Sequence, residues 1–226
     1  MKDIEPGQQV YLNTLIERYP VLKSCEKDLT EAYCLLRDSY KAGGKLLVAG
    51  NGGSAADAEH ITGELMKSFK KKRPLSDNMK KKLQSADKVM GAHLSDVLEQ
   101  PLPAIALVGH EALSTAFLND KEGTAVFAQQ ILGFGKKGDV FLGISTSGNS
   151  RNVLYAAVTA KAMGIAVISL TGASGGKLAA LADVAVCVPE TETFKVQELH
   201  LPVYHCLCLM LENYFFENPK NKKGIL

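Results

Sequence analysis

Short continuous apolar runs alternate along this chain with stretches in which apolar residues recur every three or four positions. The runs are Lys45 to Ala49, Ala104 to Val108, Asp139 to Ile144, Ile165 to Leu170 and Val184 to Val188, the last ending before Pro189. Each of the first four gives way to Gly, Ser or Thr and then to a helical pattern, which is the rhythm of βαβ units. Runs without polar alternation suit strands covered on both faces. The pattern therefore predicts an α/β fold, a doubly wound five-stranded parallel sheet. A helical region over 8–42 ends at Gly43-Gly44, the α/β core spans 44–217, and its last part, from about Phe194 to Phe216, reads as a long C-terminal helix. One segment, about 70–102, breaks the rhythm. It carries Lys70 to Arg73 and Lys80 to Lys82, is interrupted by Pro74, and continues as the helix-like LQSADKVMGAHLSDVLEQ. It reads as a solvated helix face or as a basic rim that attracts an anion; without interleaved aromatics, nucleic acid is the weaker partner.

With 226 residues, 46% of them hydrophobic, the chain can bury a substantial core without metals or disulfides, and one domain over 1–226 is the expectation. A net charge of +2 gives no overall field for a nucleic acid or a membrane surface. Cys25, Cys34, Cys187, Cys206 and Cys208 are odd in number, lie among apolar residues and lack knuckle or redox spacing, so they read as reduced, mostly buried thiols. No run approaches the roughly 20 apolar residues of a membrane span, and the N-terminus has no signal-like stretch, so a cytoplasmic location is expected. The many apolar positions on the terminal helices predict a homo-oligomer that covers them.

Two loops carry the candidate chemistry. In KLLVAGNGGSAADAEH a strand runs into Asn51, Gly52, Gly53 and Ser54, with Ser54 read as the cap of the following helix. Bare backbone N–H groups at a helix N-terminus favour an anion. GNGGSA also satisfies the dinucleotide fingerprint, but the acidic residue due about 20 positions later falls in the basic Lys70 to Arg73 run, so no nucleotide cofactor is expected. The design repeats after DVFLGI, where Ser145, Thr146, Ser147, Gly148, Asn149 and Ser150 precede another helix. Hydroxyls and free amides there can cradle a phosphate without adding charge, and loops at the carboxyl ends of parallel strands are where open α/β sheets bind ligands. His60 and Glu64, four residues apart, project from one face of the helix after the first loop, a spacing that can also hold a metal. A plain turn, a cap and an exposed i,i+4 pair are the alternatives for these three features.

The stretches GNGGSAADAEH, GISTSGNS and VQELHLPVYH, within roughly residues 10–217, resemble the sugar isomerase (SIS) fold family, most closely its phosphoheptose isomerases. The resemblance implies a flavodoxin-like three-layer αβα fold and a homotetramer with sites between subunits. It implies conversion of sedoheptulose 7-phosphate to D-glycero-D-manno-heptose 7-phosphate through an enediol, and zinc in many members. By resemblance Glu64 is the base at carbon and His205 the partner acid/base. His60, Glu64, Gln197 and His205 match the zinc-ligand positions, and Asn119-Asp120 matches a substrate-contacting element, as does Gln197. An ideal helix sets Gln197 and His205 about 12 Å apart, so one ion can take both only if the helix starts late, bends near Pro202 or borrows across subunits. His200 and Glu198 read as structural or supporting residues; His93 and His110 have no motif around them.

Three departures bear on the substrate. Ser68 stands where members often have Arg, the 70–102 insertion exceeds the compact enzymes, and Phe194 replaces an Asp found in some. The rival readings are a non-catalytic phosphosugar sensor or tetrameric adaptor of the replication-initiator-binding type, and a deaminase or transferase subunit. Glu64 and His205 together argue against the first, and a chain too short for a second domain argues against the other.

Overall fold

The computed structural model describes residues 4–217. Five strands form one parallel sheet: β1 (Leu46–Ala49), β2 (Ala104–Ala106), β3 (Val140–Ile144), β4 (Ala166–Thr171) and β5 (Val184–Cys187), in the order β2-β1-β3-β4-β5. Leu46 lies opposite Ala104 on one side and Val140 on the other; Ile144 pairs with Leu170 and Leu170 with Val186. The sheet is the doubly wound one the apolar runs predict, and the order reverses direction between β1 and β3.

Alternate strand residues feed two cores. Leu46, Val48, Val140, Leu142, Ile144, Ile168 and Leu170 face one layer, and Leu47, Ala49, Phe141 and Val167 face the other. The first layer holds α1 (Pro6–Arg18), α2 (Glu26–Lys41), α3 (Gly53–Met66) and the twenty-residue α10 (Thr193–Glu212). The second holds α7 (Val126–Phe134), α8 (Arg151–Ala162) and α9 (Gly176–Leu181). Gly143 permits the close approach of α8: a Cβ there would lie 2.9 Å from Val153 Cγ1. Helix α6 (Glu111–Asp120) buries none of its residues in one chain.

Three expectations are corrected. The helix-like stretch in the insertion is two helices, α4 (Asp77–Ala86) and α5 (Lys88–Val97). Asp87 breaks it because its carboxylate caps α5, accepting from the amides of Val89 and Met90 at 3.0 and 2.7 Å. The hairpin closes at a neck where Pro74 bridges Glu99 and Gln100 N donates to Arg73 O. Ser54 does not cap α3; the cap is Gly52, at φ 57°, and Ser54 is buried within the first turn. The run from Lys70 to Arg73 is neither a helix face nor, at its last residue, a surface rim, since Arg73 is fully buried against Glu212. All five cysteines are free, as expected. Among the described residues no helix is long and apolar enough to cross a membrane.

Candidate active site

Both loops leave the carboxyl ends of the neighbouring strands β1 and β3, at the point where the strand order reverses and open sheets leave a ligand crevice. The first loop is tied to the helix after the second by a reciprocal amide pair: Asn51 Nδ2 donates to Asn152 Oδ1 at 2.9 Å, and Asn152 Nδ2 donates to Asn51 Oδ1 at 2.8 Å. In the second loop Ser145 Oγ and Ser150 Oγ share a hydrogen bond of 2.9 Å, and Ser147 Oγ accepts from Asn149 N. Thr146 anchors the loop through its carbonyl, which accepts from Gly172 N. Gly148 is needed for this turn. Its φ is 64°, and a Cβ would lie 2.0 Å from Gly175 O. Asn51, Gly52, Gly53 and Ser147 stay exposed.

Gln197, in the first turns of α10, reaches the first loop. A Cβ on Gly53 would fall 2.6 Å from its Nε2, so only glycine admits the amide so close. Asn119 and Asp120 lie exposed at the end of α6, hydrogen-bonded to each other at 2.8 Å. Two residues on, Glu122 comes within 4.0 Å of Arg151, beside the second loop.

The titratable cluster forms where α3 meets α10. His60 Nε2 lies 3.2 Å from Glu64 Oε1 and 3.4 Å from His205 Nε2. The Tyr204 hydroxyl donates to Asp57 Oδ1 at 3.2 Å and therefore accepts from His60 Nδ1 at 3.0 Å. That choice fixes Nδ1 as a nitrogen that carries a proton. A neutral His60 offers an Nε2 lone pair to His205, whereas a protonated one donates to Glu64. Lys67 Nζ stands 3.5 Å from Glu64 Oε2. Burial holds His205 below the ordinary histidine value, His60 lowers it further, and Glu64 opposes both. Burial also raises Asp57 and pushes Tyr204 well above the usual phenol range.

Glu64, His60 and His205 are thus brought together, while Gln197 is held at the first loop. Helix α10 starts at Thr193 and runs through Pro202, so it does not begin late. Among the described residues no group of three or more His, Cys, Asp or Glu side chains is arranged to hold a metal ion. The four implied zinc ligands are not gathered around one ion in a single chain, because Gln197 is held at the first loop, away from His60, Glu64 and His205.

Asp57, Lys67, Tyr204, Asn152 and Arg73 escaped the sequence reading. Asp57 had a signal, three residues before His60 and so on the same helix face; Tyr204 had none beyond its place beside His205.

The model of the SIS domain matches residues 11–100 and 86–172. The phosphoheptose isomerase of Rhodospirillum rubrum is 36% identical over 210 residues, covering 93% of this chain and 98% of that protein. Two solved structures are similar along nearly their whole length. That of a Neisseria gonorrhoeae phosphoheptose isomerase has TM-score 0.68 and 32% identity, covering 91% of this chain and 98% of that one. That of a Francisella tularensis phosphoheptose isomerase has TM-score 0.71 and 30% identity, covering 91% and 96%.

Proposed function

The chain belongs to the SIS domain family, and on that premise we propose how it acts as a phosphosugar aldose–ketose isomerase converting sedoheptulose 7-phosphate to D-glycero-D-manno-heptose 7-phosphate. The carrying observation is the convergence of Glu64 and His60, on the helix that starts at a phosphate-type loop, with His205 of α10, through contacts of 3.2 and 3.4 Å.

The phosphate binds the second loop, through the hydroxyls of Ser145, Thr146, Ser147 and Ser150, and the amides at the start of α3. Glu64 takes the proton from C1 of the ketose, leaving an enediol, and returns one to C2. His205, kept neutral near pH 7 by its lowered affinity for protons, exchanges protons with the two oxygens. His60, oriented by the Tyr204 and Asp57 chain, accepts from or donates to these two partners in turn. Such positioned proton transfers contribute factors of about 10² to 10⁴ each.

Several finer points belong to the same proposal. Asn119, Asp120 and Gln197 contact the sugar, with Asn119 and Asp120 brought in when a homotetramer assembles. Exposed Leu113 and Leu118 on α6 and exposed Val10, Phe194 and Leu201 on the terminal helices supply apolar surface for that assembly. The sensor or adaptor reading gives no account of the convergent acid/base cluster. Conversion of sedoheptulose 7-phosphate by the purified protein, lost in Glu64→Gln, tests the assignment; tight binding without turnover in the wild type would move it to the sensor class.

A further inference from the structure

Helix α3 ends without the usual devices. No glycine follows it, Lys67 is extended, and no basic residue of its own lies in the last turn to meet the negative end of the helix. Its terminal carbonyls are met instead from outside the helix: Leu102 N donates to Leu65 O at 2.9 Å, and a residue eight and nine positions away reaches both Leu65 O and Glu64 O. Arg73 Nη1 donates to Leu65 O at 2.6 Å and Nη2 donates to Glu64 O at 3.0 Å.

Arg73 is itself held. Its Nε and Nη2 reach Glu212 Oε1 at 2.9 and 2.8 Å, and its guanidinium lies 4.7 Å from the centre of the Phe216 ring. Glu212 uses its remaining acceptor capacity on the turn between them: Phe69 N donates to Oε1 at 2.8 Å, and Lys70 N and Lys71 N donate to Oε2 at 2.9 and 3.1 Å. Both side chains are out of water, at 0% and 1% exposure. Burying a charge pair is an expensive way to end a helix, because the desolvation cost can exceed the attraction, and a glycine cap would do it at lower cost.

What a glycine could not supply is the connection to α10. Glu212 and His205 lie seven residues, about 10 Å, apart along one helix, and Arg73 joins that helix to the peptide group of Glu64. We propose that Arg73, locked by Glu212, is a positioning residue that fixes the Glu64 carboxylate relative to His205. The proposal rests on the assignment of Glu64 as the base.

The test uses the full-length protein with three variants. Arg73→Met combined with Glu212→Leu removes both charges at similar volume and avoids leaving one buried charge unpaired. Arg73→Lys keeps the ion pair but cannot donate to both carbonyls in the planar fork geometry. Glu64→Gln checks the underlying assignment. The expected result is a folded double variant whose kcat falls on the order of ten- to hundredfold, the scale of a misplacement of about 1 Å, with KM within about twofold of wild type. Arg73→Lys is expected to fall between the two. A purely structural pair would lower the melting temperature without moving kcat. Wild-type kcat in the folded double variant, or in folded Arg73→Lys should the double variant not fold, overturns the proposal while Glu64→Gln remains inactive. An active Glu64→Gln would instead overturn the base assignment, and the positioning role with it.

Discussion

The Nε2 atoms of His60 and His205 stand 3.4 Å apart although 145 residues separate them in the chain. Two imidazoles this close cannot both hold a charge cheaply, and His205 is also partly withdrawn from water, so its proton affinity lies below the ordinary value near 6.5. NMR titration of the His205 ring is therefore expected to show a midpoint below 6.5. In His60→Ala the midpoint moves upward but stays below 6.5, because burial is the larger cause. An unchanged midpoint would show that the two rings are not coupled.

Gly148 is predicted to set phosphate affinity. Alanine there must adopt φ near 64° and place its Cβ about 2.0 Å from Gly175 O, so the loop has to move. Strain of about 1–3 kcal/mol at such a position corresponds to a rise in KM for the phosphorylated sugar of roughly five- to hundredfold. Steady-state kinetics of Gly148→Ala check this, with Tm as the control for global damage.

His200 predicts acid sensitivity. It is fully buried, and burial, only partly offset by the backbone of Thr171, pushes its proton affinity down to about 4. The unfolded chain takes up the proton near pH 6.5 and the folded chain only near 4, so U binds more protons in that window and stability falls as pH drops through it. The loss amounts to about 3 kcal/mol by pH 4. Denaturant unfolding at pH 7 and pH 4.5 is expected to show a larger difference for wild type than for His200→Leu.

The inserted hairpin is predicted to be structurally separable. Its helices touch through Gly91, where a Cβ would lie 2.1 Å from Leu83 O. Gly91→Ala should force α4 and α5 apart at a local cost of about 1–3 kcal/mol. Hydrogen exchange would then rise within residues 77–97, with isomerase kcat unchanged.

How much of this was legible depended on whether a residue's role follows from its neighbours in sequence. The five strands were readable because both faces are covered, which leaves uninterrupted runs such as Lys45 to Ala49. The two loops were readable because the same strand, loop and helix design occurs twice. Glu64 and His60 declared themselves by i,i+4 spacing, whereas the position of His205 against them needed family resemblance and then the packing of α10 on α3. The cap at Asp87 was present in the sequence but masked by apolar residues that keep helical spacing across it. Arg73 was not readable at all. In a run of three lysines it looks like solvated charge, and only the buried Glu212, 139 residues away, shows otherwise.

The most direct test follows sedoheptulose 7-phosphate in D₂O by NMR with wild-type protein, Glu64→Gln and His205→Ala. The account predicts that wild type forms the aldose phosphate with deuterium at C2, as an enediol protonated by an exchanging base requires, and that both variants lose about 10² to 10⁴ of the rate. Substrate binding without conversion by wild type, or undiminished conversion by Glu64→Gln, would contradict it.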